Sequence, residues 1–225
     1  MFNNSFSPNS DLSLTVNSVQ SAQLDPVSVS ISGSIDHTTH QRGQSGTVTF
    51  SRFPATVDEW KQVREQIGSE PHGAIALQVM ASEMYRRDPK IGKECIELNN
   101  VVSNIPSCIR RLQDLFVYEK NPYQMAYYLK GAAQQNGFNP PKPYTIEVKV
   151  SNNAYAKSTD YQTVVLNLSV NSSGHDSSPL PCSVLKTKRP GESGENGKFF
   201  LVFGCSSLYL KGKQASFEST FRGLD

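Results

Sequence analysis

The chain has no apolar run approaching the roughly 18 residues of a membrane-spanning helix, so no helical membrane anchor is expected. It also has little excess charge. Lys and Arg number 22 against 20 Asp and Glu, a formal +2 over 225 residues, too even a balance for electrostatic capture of nucleic acid or anionic lipid. Cysteine is sparse: Cys95, Cys108, Cys182 and Cys205 stand far apart inside helical or strand patterns. A chain of this length folds without disulfide staples, so these thiols read as reduced and buried. The amino terminus, Met-Phe-Asn-Asn-Ser-Phe, lacks the basic region and apolar stretch of a cleaved secretory signal. Lysine is missing until Lys61, and Asp11, Asp25, Asp36 and Arg42 are the charges before residue 52.

What fills residues 1–52 instead is Ser, Asn, Gln and Thr, a composition that buries too little apolar surface to offset chain entropy unaided. Leu12, Leu14 and Val16, then Val27, Val29 and Ile31, nevertheless alternate with polar residues in the strand period. This segment is expected to be a disordered leader or to add short strands.

The character changes at Phe53-Pro-Ala-Thr-Val-Asp-Glu-Trp60, where Thr56 and Glu59 have the spacing of a capping box. Val57, Trp60, Val63 and Ile67 follow on one helical stripe, and Gly68 offers a stop. A second helix is expected over 70–87, apolar around most of its circumference and therefore central. Asp88-Pro89 opens a third, Pro106 a fourth, and Asn121-Pro122 a short fifth that Gly131 closes. Beyond the proline-rich hinge Asn139 to Pro143 the period switches to alternation. Tyr144, Ile146, Val148 and Val150 begin a first strand, Val164 to Val170 a second, Cys182 and Val184 a third, and 198–203 a fourth, with Ser207 to Leu210 as a continuation. Connections too short for helical crossovers make neighbouring strands antiparallel. The expected fold is α+β: amino-terminal helices packed on a carboxy-terminal antiparallel sheet of four to five strands, one domain over 53–213 and a tail at 214–225.

Candidate chemistry is thin. His175 and Asp176, with Cys182 and Cys205 downstream, have the residue types of a thiol hydrolase in which histidine activates cysteine and a carboxylate orients the ring. Their setting, Ser-Ser-Gly-His-Asp-Ser-Ser-Pro, is a turn composition and Cys182 alternates as a small strand hydrophobe, so the structural reading is the preferred one. His37 and His40 share a helical spacing, but their Gly-, Ser- and Thr-rich surroundings are loop and supply no third ligand, so no metal site is expected. The run 189–197 looks like a phosphate loop until its acidic residues are counted; it reads as a hairpin loop, with Glu192 and Glu195 as solubilising charges. Tyr118, Tyr123, Tyr127, Tyr128, Phe138 and Tyr144 gather around the hinge, either as a wedge between layers or as the wall of a groove, and Tyr123, Tyr127, Phe138 and Tyr144 are the binding candidates. No cofactor is implied.

Phe53 to Trp60, Asn121-Pro-Tyr-Gln-Met-Ala-Tyr-Tyr-Leu-Lys-Gly-Ala132, Asn136-Gly-Phe-Asn-Pro-Pro-Lys-Pro-Tyr-Thr145, Ser172 to Pro179 and Lys198-Phe-Phe-Leu-Val-Phe-Gly-Cys-Ser-Ser-Leu208 together resemble an uncharacterised bacterial domain family across most of 53–212. The chain departs from that family's preferred Arg at Leu180 and preferred Trp at Phe199. The resemblance implies a bacterial source and one domain, and transfers no activity. The expected function is a non-enzymatic interaction module with a protein partner. The alternatives are a secreted effector acting in a host cell with the leader as export signal, and a cysteine hydrolase. The expected location is the bacterial cytoplasm, or outside the cell without a cleaved signal peptide.

Overall fold

Alternation in the sequence marks where the sheet is built. On one face of a long strand, Tyr144, Ile146, Val148 and Val150 are buried, while Thr145, Glu147 and Lys149 are more exposed. The computed structural model describes residues 1, 24–36, 42–158, 163–216 and 219–225, by backbone alone at 152–158 and 163. His37, His40 and the alternation at Leu12, Leu14 and Val16 lie outside the described residues.

The strands are β1 (Val29–Gly33), β2 (Ser45–Phe50), β3 (Tyr144–Ser158), β4 (Thr163–Val170), β5 (Leu180–Leu185) and β6 (Leu201–Gly204). They form one six-stranded sheet in chain order, every neighbouring pair antiparallel. Six strands stand where four to five were expected, and the helices are mid-chain, between β2 and β3, not amino-terminal. The two additional strands come from the serine-rich segment. Val48 and Phe50, 0% and 1% exposed, pair with Ile146 and Tyr144. A strand with one buried face needs an apolar residue only at alternate positions, so Ser and Thr on the other face hide it from a composition argument.

The helices are α1 (Val57–Ile67), α2 (Pro71–Arg87), α3 (Pro89–Asn99) and α4 (Ile105–Gln113). Thr56 Oγ1 accepts from Glu59 N at 3.2 Å, and Glu59 reaches back to Ala55 N and to Arg52, so α1 starts where its capping residues stand. Asp88 caps α3 through Lys90 N and Ile91 N. Every residue of α2 from Pro71 to Tyr85 is buried, which makes it the central rod between the sheet and the other helices.

A buried polar knot locks that rod. Gln78 Oε1 accepts from Asn99 Nδ2 at 2.9 Å and Asn100 Nδ2 at 2.8 Å, and its Nε2 donates to Tyr209 Oη at 2.7 Å. Cys108 Sγ and Ser82 Oγ also lie within 3.2 Å of that hydroxyl. Tyr209 belongs to a 3-10 turn, Ser206–Tyr209, where a continuation of β6 was expected; its ring must turn inward to reach α2. The outer edge of β6 is covered by Val101, whose N–H donates to Val202 O at 3.1 Å. No helix among the described residues is long and apolar enough to cross a membrane.

Residues beyond 213 return across the domain. Leu224 is 1% exposed, Arg222 N donates to Asn139 Oδ1 at 2.7 Å, and Asp225 accepts from Phe53 N at 2.8 Å and Tyr144 Oη at 3.0 Å.

Candidate functional site

The segment after α4 was expected to end in a fifth helix. It forms instead a π turn, Asp114–Tyr118, and a short 3-10 turn, Met125–Tyr128. Asn121 Oδ1 takes up Tyr123 N, Gln124 Nε2 donates to Leu208 O and Leu210 O, both at 2.9 Å, and Tyr128 Oη donates to Leu208 O at 2.8 Å. These contacts to distant backbone replace helical ones. The chain then turns through Gly131 at φ +86°, a conformation open to glycine.

This irregular stretch meets the β4–β5 loop and β3 in a cleft of about 230 Å³, lined by the 127–132 segment, Glu147, Asn171, Ser172, Ser173 and Ser178. Polar groups converge on it. Lys130 Nζ donates to Glu147 Oε1 at 2.7 Å, and Asn171 Nδ2 to Glu147 Oε2 at 2.9 Å. The Lys130 hydrogen bond leads the effects that hold the Glu147 carboxyl below its ordinary range.

Of the aromatic candidates, Tyr127 lines the cleft, with Tyr123 and Phe138 packed against it. Phe138 stacks on Tyr123 at 5.2 Å between centroids and meets Tyr127 edge-on at 4.7 Å. Tyr144 belongs to a different group, 5.4 Å from both Phe50 and Phe53. All four rings are 9% exposed or less. Their hydroxyls are taken up internally, Tyr123 by Gln214 and Tyr127 by Lys213 O, with Tyr144 held by Asp225. Burial pushes the Tyr127 phenol up to about 12.

His175 makes no hydrogen bond to Cys182 or Cys205. Its Nε2 faces Leu210 O at 2.9 Å and its Nδ1 faces Ser172 Oγ at 2.8 Å. A carbonyl can only accept, so in the neutral ring the proton sits on Nε2 and Nδ1 accepts from the serine hydroxyl. Asp176 turns outward, 90% exposed, and pairs with Lys213. The two cysteines face each other, Sγ to Sγ, at 3.0 Å. Glu192, read from sequence as a solubilising charge, is 4% exposed, and its carboxylate accepts from Val102 N at 2.9 Å. The loop folds inward because that amide opens a helical turn and needs an acceptor.

Lys130, Glu147, Asn171 and Ser172 were not singled out by sequence reasoning. Lys130 and Glu147 are 17 residues apart, and nothing local to either marks a pair. Ser172 did carry a signal, its three-residue spacing from His175 within a turn composition.

Fold and cleft together define an α+β domain with a polar cleft between an irregular segment and the loop end of an antiparallel sheet. The chain belongs to the family described as a domain of unknown function (DUF6935), whose model matches residues 52–216, more than half of its length. No curated protein and no solved structure matches. The family carries no established activity, as the resemblance seen in the sequence implied.

Proposed function

We propose that the domain is a non-enzymatic binding module that seats a short polar segment of a protein partner in the cleft between Lys130, Glu147, Asn171 and the serines of the β4–β5 loop. The observation that carries this reading is the convergence on one open cleft of a cation, a carboxylate, an amide and three hydroxyls. A peptide presents donors and acceptors in alternation, and this mixture satisfies both kinds. The near-balanced charge of the chain favours a protein partner over nucleic acid. Peptides selected from a random displayed library on the intact chain should lose at least about tenfold in affinity when Asn171→Ala is combined with Lys130→Ala. They should be unaffected by Lys90→Ala on α3. Failure to enrich any peptide, or equal binding by both variants, would overturn the proposal.

A second reading is favoured by the 2.8 Å contact of Ser172 Oγ with His175 Nδ1, with Leu210 O holding the opposite ring nitrogen. It is a serine hydrolase in which Ser172 attacks an acyl carbon and His175 takes its proton. Against it, Gly174 N donates to the same hydroxyl at 3.3 Å, an arrangement that also closes a turn. Stoichiometric labelling of Ser172 by a fluorophosphonate, abolished in His175→Ala, would establish the hydrolase; an unlabelled chain would leave binding as the reading.

A further inference from the structure

Cys182 lies on β5 and Cys205 directly follows β6, opening the 3-10 turn Ser206–Tyr209. The β5–β6 register pairs Ser183 with Gly204, so one step outward along each antiparallel chain brings the two cysteines face to face. Opposed residues in such a pair have Cα atoms about 4.5–5.5 Å apart, inside the roughly 4.4–6.8 Å window that a disulfide spans. The sulfurs are already in contact at 3.0 Å, and both are free thiols.

Both are buried, Cys182 at 4% exposed, and they differ in which of them lines a cavity. Cys182, with Pro181, Ser183, Gly204, Ser206 and Ser207, lines an open cavity of about 320 Å³. Cys205 is 2% exposed and does not line that cavity. Burial holds its thiol well above the ordinary range, which keeps it protonated at neutral pH.

We propose that Cys182 and Cys205 form a peroxide-oxidised thiol pair, with Cys182 as the attacked sulfur and Cys205 as the resolving one. The Cys182 thiolate attacks one oxygen of hydrogen peroxide; the O–O bond breaks and hydroxide leaves, giving a sulfenic acid at Cys182. Cys205 then attacks that sulfur, its proton passing to the sulfenic oxygen, which departs as water. Two thiols and one peroxide become one disulfide and two waters, the two electrons lost by the thiols reducing the peroxide. Nothing larger than peroxide is required to enter the cavity.

Cys95 and Cys108 serve as internal controls. Both are buried, burial pushes their thiols up to about 12 and about 11, and neither faces another cysteine. Cys95 Sγ meets Met84 Sδ and Cys108 Sγ meets Tyr209 Oη.

The test is peptide mapping of the intact, folded chain after graded hydrogen peroxide, with alkylation of the remaining thiols. Expected is a cross-linked peptide pair containing Cys182 and Cys205, reversed by dithiothreitol, while Cys95 and Cys108 stay alkylatable. The melting temperature should rise on oxidation by on the order of 5–10 °C, because the link closes the β5–β6 hairpin in the unfolded chain. In Cys205→Ser, dimedone should trap a sulfenic acid at Cys182; in Cys182→Ser, no adduct should form at Cys205. Oxidation of all four thiols at similar rates, or survival of Cys182 and Cys205 at doses that oxidise Cys95 or Cys108, would overturn the proposal. The wild-type map decides it even if both variants fold poorly.

Discussion

His72 is a neutral base stored in the interior. It stands in the first turn of α2, 1% exposed, with its ring packed so closely on Gly46 that a Cβ there would meet it at 2.4 Å. Neither ring nitrogen makes a well-formed hydrogen bond, although the Ser32 backbone pulls weakly toward protonation. Burial lowers its pKa from 6.5 to about 4. The unfolded chain takes a proton below pH 6.5 that the folded chain refuses, so stability present above that pH is lost as pH falls from 6.5 towards 4. The full difference is roughly 3 kcal/mol. Urea midpoints should therefore decline between pH 7.5 and 4.5, and should decline less steeply in His72→Gln, whatever that variant's stability at neutral pH. The Glu59 carboxyl is held low chiefly by its hydrogen bond to Arg52, and its contribution is lost only below its unfolded value of 4.5, outside most of the histidine window. None of this was legible in Pro-His-Gly, because what buries His72 is Gly46, on a strand 26 residues earlier. The Thr56 cap was legible, because its donor is three residues away.

At the scale of elements, α2 and α3 approach so closely that Gly92 has no room for a side chain. A Cβ there would lie 2.1 Å from Tyr85 N and Cα. Alanine favours a helix by about 1 kcal/mol over glycine, yet Gly92→Ala should destabilise the protein by about 1–3 kcal/mol through overpacking, read as a lower urea midpoint with an unchanged slope. Helices α1, α2 and α3 were readable in the sequence because Thr56, Pro71, Asp88 and Pro89 are local signals. The stretches at 121–132 and 207–210 were not, since distant partners override their helical and strand patterns. Gln124 answers to Leu208 and Leu210, and Tyr209 to Gln78. The cleft inherits this difficulty: its floor is the stretch whose local pattern misleads, and its polar rim joins residues from three separate elements.

For the whole molecule, the consequence concerns where the stable unit begins and stops. Phe50 and Val48 enter the core from before residue 53, and Leu224 enters it from beyond residue 213. A chain limited to 53–213 would uncover the β2-facing edge of β3 and the apolar surface beneath Leu224. It should aggregate or melt well below the intact chain in calorimetry, whereas 24–225 should fold. The pairing of Phe50 with Tyr144 has one more effect, on synthesis. β2 leaves the ribosome before all four helices, and the strand it needs follows them. At roughly 5–20 residues per second, the early hairpin waits on the order of 5–20 s for its neighbour. Ser30 and Ser32 on β1 and Thr47 and Thr49 on β2 alternate with its apolar residues, so the composition that disguises these strands also limits the apolar surface they present while they wait.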